Sequence, residues 1–187
     1  HGDSFLDMSF GGDLGFFRVE LAEDKVLSVT ARGLISSRFQ FLSESFDLIN
    51  TDFLGGPATG FRWGEQFFEL LLYHQSSHLG DDLAAQAGRE PMNFSFEALR
   101  LLWSRTFLES LRIYAGPAVK LRADPTSLGG DVTLQLGAEH RFELWTLPVY
   151  AAVDLQSREE VDWEVNASFQ VGVELGVPQD RHVADLD

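Results

Sequence analysis

The stretch VTLQLGAEHRF, residues 132–142, alternates apolar and polar side chains, with His140 as the one exception on the apolar side. The apolar side holds Val132, Leu134, Leu136, Ala138 and Phe142, and the other side holds Thr133, Gln135, Gly137, Glu139 and Arg141. A period of two puts successive side chains on opposite faces of a β-strand, whereas a helix repeats about every 3.6 residues. The stretch therefore predicts a strand with one apolar and one polar face.

The same alternation continues on both sides of this stretch. It recurs in residues 26–35, 113–121, 145–155 and 165–175, and no comparable run has helical spacing. We divide the chain into nine strands, at residues 14–21, 26–41, 48–63, 65–79, 95–107, 112–122, 130–143, 145–157 and 164–176. The sequence therefore predicts an all-β chain with an antiparallel, up-and-down order of strands.

The lengths of the strands and connections favour a membrane barrel over a soluble β-sandwich. Sandwich strands are typically about 5–6 residues long, whereas the alternating runs here last about 9–13 residues, as a tilted membrane strand requires. The connections alternate between short (22–25, 64, 108–111 and 144) and longer (42–47, 80–94, 123–129 and 158–163). Short turns at one end and long loops at the other are typical of outer-membrane barrels.

The distribution of aromatic and charged residues agrees with this interpretation. A group of aromatic residues falls at the short-turn end, where an interfacial girdle is expected: Phe61, Trp63, Phe107, Phe142 and Trp145. The charges predicted to face inward have both signs: Arg18, Glu20, Arg32, Asp52, Arg62, Glu69, Arg100, Lys120, Arg122, Glu139, Arg141, Asp154 and Glu174. A narrow barrel lined in this way is expected to be cross-linked shut. In a soluble sandwich the same charges would face water, so that alternative stays open.

Length and composition narrow the classes further. The 187 residues fit one domain, and we expect a barrel domain at 1–176 followed by a polar tail or truncated continuation at 177–187. No apolar run reaches the roughly 18 residues of a transmembrane helix. The chain has no cysteine, which excludes disulfide bonds and thiolate metal sites. Its formal charge of −15 argues against a nucleic-acid partner.

One region breaks the apolar pattern of the predicted outer face. Along the strand at 65–79 the outward positions are Phe68, Leu70 and Leu72, followed by His74, Ser76 and His78. The next strand runs in reverse, with Asn93, Ser95 and Glu97 before Leu99, Leu101 and Trp103. Facing side chains of antiparallel neighbours lie about 5 Å apart, which predicts one outward patch containing His74, Ser76 and Glu97. A serine beside a histidine that a carboxylate orients is the arrangement of an acyl-transfer nucleophile. The alternative is a polar rim that marks the edge of the bilayer.

Two resemblances concern this region. The run YHQSSHLGDD at 73–82, preceded by DLINTD at 47–52, resembles an uncharacterised bacterial family of predicted outer-membrane proteins. That resemblance implies a barrel and supplies no activity. The segment His74-Gln75-Ser76, with Pro91-Met92-Asn93 leading to Glu97, is similar to the site of outer-membrane lipid A deacylases. Ser77 stands where those enzymes carry an asparagine that is a candidate oxyanion donor, and the intervening loop is longer here.

The sequence therefore predicts an outer-membrane up-and-down β-barrel of about 8–12 strands. The chain ends in VADLD, without the terminal aromatic typical of such barrels, which favours missing closing strands. The predicted function is hydrolysis of a lipid acyl ester, with Ser76 as nucleophile, His74 as general base and Glu97 orienting the histidine. Ser77, His78 and Asn93 are the expected binding residues.

Two other classes of protein remain as alternatives. One is a non-catalytic structural barrel or a subunit of an envelope assembly, and the other is a soluble sandwich that acts as a binding module. The expected partners are membrane lipid or lipopolysaccharide and other envelope proteins. We expect no nucleic acid, cofactor or bound metal.

Overall fold

The computed structural model describes residues 4–40, 47–80, 94–126 and 130–173. Nine antiparallel strands form one sheet in which each strand pairs with its neighbours in the sequence. The strands are β1 (Phe5–Ala22), β2 (Lys25–Gln40), β3 (Leu48–Trp63), β4 (Gln66–Leu79), β5 (Phe94–Phe107), β6 (Leu111–Asp124), β7 (Val132–Leu144), β8 (Leu147–Arg158) and β9 (Val165–Val173). The sheet curls into a half-barrel, which confirms the predicted all-β, antiparallel, up-and-down fold.

The connections alternate in length as predicted. Tight turns join β1 to β2, β3 to β4, β5 to β6 and β7 to β8, while the other connections are longer. Gly64 lies in the turn between β3 and β4 with a φ of 58°, a conformation that glycine adopts without the steric cost of a Cβ atom. The only helical element in the described residues is a 3-10 turn at Glu159–Val161. No helix in the described ranges is long and apolar enough to cross a membrane.

The two faces of the sheet differ as the period of two predicts. On β4, Glu69 and Leu71 are buried on the concave face, whereas Leu70 and Leu72 are exposed on the convex face. The convex face carries exposed apolar side chains on several strands: Leu99, Leu101, Leu134, Leu136, Val171 and Val173. The polar groups are therefore concentrated inside the curve of the sheet and the apolar groups outside it.

Ion pairs join four strands across the concave face. The Arg32 guanidinium on β2 donates to Asp13 on β1 at 2.7 and 2.8 Å and to Glu69 Oε1 on β4 at 2.9 Å. Arg100 on β5 donates to the same Glu69 oxygen at 2.8 Å. Arg32 can reach past β3 because the β3 residue paired with it is Gly56, which has no side chain. The predicted cross-linking of inward charges is confirmed for Arg32, Glu69 and Arg100, and Asp13 is a further partner that the sequence analysis did not include.

The structure corrects the sequence analysis at two points. The first strand begins at Phe5 rather than at residue 14, because its first half pairs with β2 from Phe5↔Gln40 onward. Arg122, predicted to face inward, lies opposite Glu97, because a register shift between Glu97 and Ala98 inserts one residue into β6. Directly opposed residues share a face, so Arg122 lies on the convex side. The predicted tail at 177–187, Glu174 and most of the 80–94 loop lie outside the described residues.

Candidate functional site

The polar patch on the convex face is built on β4 and β5. His74 and Glu97 are directly opposed in the β4–β5 register. The His74 Nδ1 atom lies 3.2 Å from the Glu97 Oε1 atom, with side chains 51% and 40% exposed. A carboxylate at this position favours the tautomer with a proton on Nδ1 and leaves Nε2 as the free acceptor. The pair therefore has the form of an oriented general base.

Ser76 lies on the same face, two residues further along β4, and pairs with Ser95 of β5. Alternate residues on one face of a strand have Cα atoms roughly 6.5–7 Å apart. Among the described residues, no hydrogen bond joins the Ser76 hydroxyl to the His74 ring. The structure thus brings His74 and Glu97 together, but the hydrogen bond between Ser76 and His74 that a catalytic triad requires is not formed.

The expected binding residues are placed differently from one another. His78 is exposed on the convex face and meets the Phe53 ring edge to face, with centroids 5.7 Å apart. Ser77 is buried on the concave face, where it accepts a hydrogen bond from Asn50 at 3.0 Å. Since neighbouring residues in a strand point to opposite faces, the Ser77 hydroxyl faces away from His74. Asn93 lies outside the described residues.

Two residues beside the pair were not anticipated from the sequence. Gly55 of β3 is the partner of His74, so no side chain covers the ring on that flank. A Cβ atom built on Gly55 would meet only the Arg32 carbonyl oxygen, at 3.6 Å, which shows open space there. On the other flank Arg122 is the partner of Glu97. These neighbours depend on strand register, which hydrophobic alternation does not encode.

The His74–Glu97 pair has the chemistry of proton transfer. One imidazole and one carboxylate, both half-exposed, can hold and move a proton at Nε2. Within the ranges that the structure describes, no group of three or more His, Asp or Glu side chains could hold a metal ion. The pair can act as a base only if a group with a proton to give, such as a hydroxyl, approaches Nε2.

Comparison with known protein families matches residues 1–183 to DUF1207, a family described as a protein of unknown function. No curated protein matches the chain, and no solved structure does. The expectation of an uncharacterised family is confirmed, whereas the outer-membrane location attached to it stays a prediction. With nearly all of its length matched, the chain belongs to the DUF1207 family.

Proposed function

We propose that this protein is a β-barrel of the bacterial outer membrane whose convex face contacts lipid. The observation that carries the proposal is the separation of the two faces. Leucine, valine and phenylalanine side chains are exposed across the convex face, while the Arg32–Glu69–Arg100 network lies inside the curve. Exposed apolar side chains occur on every one of the nine strands, whereas soluble monomers rarely expose a contiguous apolar patch larger than a few hundred Å². In a bilayer, lipid chains would cover this apolar surface and keep it away from water.

Strand dimensions support the same proposal. Strands β2 to β8 contain 12 to 16 residues each, and a tilted strand needs about 9–11 residues to cross the hydrocarbon core. At the short-turn end, the Lys25 ammonium lies 5.4 Å from the centroid of the Trp63 ring. Nearby, the Trp103 indole donates to Gln66 at 3.2 Å. Tryptophan with one polar contact is typical of a membrane–water interface.

Orientation gives the first test of this proposal. Short turns of outer-membrane barrels face the periplasm, and the chain has no cysteine that would interfere with thiol labelling. We expect Thr126→Cys, in the longer connection after β6, to react with a membrane-impermeant maleimide on intact cells of a Gram-negative host. Glu65→Cys, in the β3–β4 turn, should react only after the outer membrane is permeabilised. Labelling of Glu65→Cys alone in intact cells would mean that the orientation is the opposite one. If neither site were labelled after permeabilisation, the two ends of the strands would not be exposed to water, which would contradict the barrel.

A second candidate function is hydrolysis of an ester-linked acyl chain of a lipid. The specific observation in its favour is the Glu97 contact with His74, which leaves Nε2 free on the lipid side of the proposed barrel. In this reaction the Ser76 oxygen attacks the ester carbonyl carbon while Nε2 takes the hydroxyl proton. The proton then passes to the departing alkoxide oxygen as the ester bond breaks. Water then attacks the acyl carbonyl carbon as the same nitrogen takes its proton, and that proton returns to the serine oxygen as the acyl–serine bond breaks and the fatty acid leaves.

The unformed contact between Ser76 and His74 is compatible with this reaction, because catalytic hydrogen bonds often tighten only when substrate binds. The ester would have to bring the serine hydroxyl toward Nε2. In the competing explanation the patch is a polar rim of a structural barrel or of an envelope assembly. Both explanations involve the same surface patch, so only a measurement of lipid hydrolysis distinguishes them.

The test measures release of fatty acid from lipopolysaccharide and from phospholipid vesicles. If the site is catalytic, Ser76→Ala and His74→Ala should each lower the rate by at least about 100-fold, since each removes a chemical step. Ser95→Ala, which removes a hydroxyl from the same patch outside the proposed triad, is the matched control and should keep the wild-type rate. Equal rates in all four proteins, or no release by folded wild type, would leave the patch as a structural rim.

A further inference from the structure

A second polar region lies on the concave face, at the end of the sheet that carries the longer connections. An open cavity of about 530 Å³ is lined there by residues of β3 to β8 and of the 3-10 turn. We call this cavity the upper basin, and it includes Tyr73, Gln75, Phe96, Lys120, Thr133 and Arg158 in its lining. Its volume lies in the range of about 300–1,000 Å³ that small-molecule sites occupy.

One wall of the upper basin is aromatic. The Tyr73 and Phe96 rings meet edge to face with centroids 6.0 Å apart, and Phe94 also lines the cavity. All three lie at inward positions of β4 and β5, as the pairings Ser77↔Phe94 and Gln75↔Phe96 place them. Aromatic faces offer a flat apolar platform with a polar edge, which suits the C–H faces of a sugar ring.

Three polar side chains of the upper basin are available to hydrogen-bond a ligand. Among the described residues, the Tyr73 hydroxyl, the Gln75 amide and the Thr133 hydroxyl have no hydrogen-bond partner. Together they offer both donors and acceptors. The neighbouring polar groups differ, since Gln135 and Gln156 both donate to Asp154, at 2.6 and 3.0 Å. The free groups therefore lie in two places, on β4 beside the aromatic wall (Tyr73 and Gln75) and on β7 across the cavity floor (Thr133).

The charges of the upper basin are already compensated. Lys120 contacts Glu160, and Arg158 contacts the same carboxylate at 3.4 Å. Arg100 donates to Glu69, and Asp131 adds a further carboxylate to the lining. An anionic ligand would have to displace one of these pairs, whereas a neutral ligand with several hydroxyl groups would not.

We propose that the upper basin binds a neutral sugar of one or two rings, stacked on Tyr73 and Phe96 and hydrogen-bonded by Tyr73, Gln75 and Thr133. This site lies on the opposite face of the sheet from His74 and Glu97, so it is independent of the proposed hydrolase reaction. It would make the inside of the curve a recognition surface for carbohydrate.

The experiment uses the full chain in an amine-oxide detergent, because detergents with sugar headgroups would compete for the site. Saturation-transfer NMR and calorimetric titration are carried out with glucose, maltose, sucrose and lactose, and with inorganic phosphate as the anionic probe. We expect at least one sugar to bind with millimolar affinity and phosphate not to bind. Tyr73→Ala and Phe96→Ala should each weaken that binding at least about tenfold.

Tyr150→Ala is the matched control, since Tyr150 is a tyrosine on β8 that does not line the basin. It should bind sugar as the wild type does. If either alanine variant fails to fold, Tyr73→Phe and Gln75→Ala, which keep both aromatic rings and remove the free hydroxyl or the free amide, should still weaken binding at least about threefold. Absence of sugar binding by folded wild type, phosphate binding in preference to sugar, or equal loss in the control would overturn the proposal.

Discussion

Replacing Leu101 by arginine should lower the free energy of unfolding in a lipid bilayer by about 2–4 kcal/mol, the cost of such a change at the middle of a barrel's lipid face. Leu101 is 48% exposed on the convex face and is paired with Leu70. Apolar positions lie on both sides of it along β5, toward Leu99 and toward Trp103. In the proposed barrel this places residue 101 near the centre of the hydrocarbon, where a guanidinium loses its hydration.

The matched control is Ser95→Arg on the same strand and face. Ser95 lies beside the polar end of β4, opposite Ser76, where the cost should fall to about 0–1 kcal/mol. Reversible denaturation in vesicles, with folding followed by tryptophan fluorescence, measures both variants. If the sheet were the face of a water-soluble protein, Leu101→Arg would change stability by less than about 0.5 kcal/mol, as exposed substitutions usually do. Equal costs at the two positions would therefore contradict the membrane proposal.

The strands and their faces could be predicted from sequence because one physical rule governs both. Alternate side chains of a strand point to opposite sides, so the pattern in 132–142 identified β7 and the orientation of Leu134 and Leu136 together. The same rule placed His74 and Glu97 on one face. Their direct opposition could not follow from it, since a slip of two residues keeps the faces while moving Glu97 by about 7 Å.

What the sequence analysis missed depends on contacts between distant segments. The first half of β1 becomes a strand because β2 extends to Gln40 and pairs with it. Arg122 changes face because β6 carries one extra residue opposite β5, a β-bulge that depends on how two strands meet. The partners within the concave network, such as Arg32 with Glu69 across Gly56, likewise depend on the register of three strands. Local alternation contains no information about such distances.

Replacing Glu69 by the uncharged glutamine, which has nearly the same size, should destabilise the protein more than most such replacements on the concave face. Glu69 is 6% exposed and is the shared acceptor of Arg32 and Arg100. Removing its charge leaves two guanidinium groups with one fewer carboxylate between them, and breaking a buried pair in this way costs about 3–5 kcal/mol. The two arginine side chains keep 24% and 21% exposure, so we expect a loss of about 2–3 kcal/mol, at or below the lower end of that range.

Glu65→Gln is the control that separates the effect of burial from the loss of an ion pair as such. Glu65 pairs with Arg105 at 3.1 Å, but the two side chains are 67% and 43% exposed, and such surface pairs contribute about 0–1 kcal/mol. Removing one guanidinium as well, in Glu69→Gln with Arg100→Gln, should recover part of the stability lost in Glu69→Gln alone, because residues of one network are not additive. Denaturation of the wild type, Glu65→Gln, Glu69→Gln, Arg100→Gln and the double variant in the same detergent measures these differences. A loss in Glu69→Gln no greater than in Glu65→Gln, or a double variant that simply adds the two single losses, would mean that the concave charges are solvated individually and do not hold the curved sheet together.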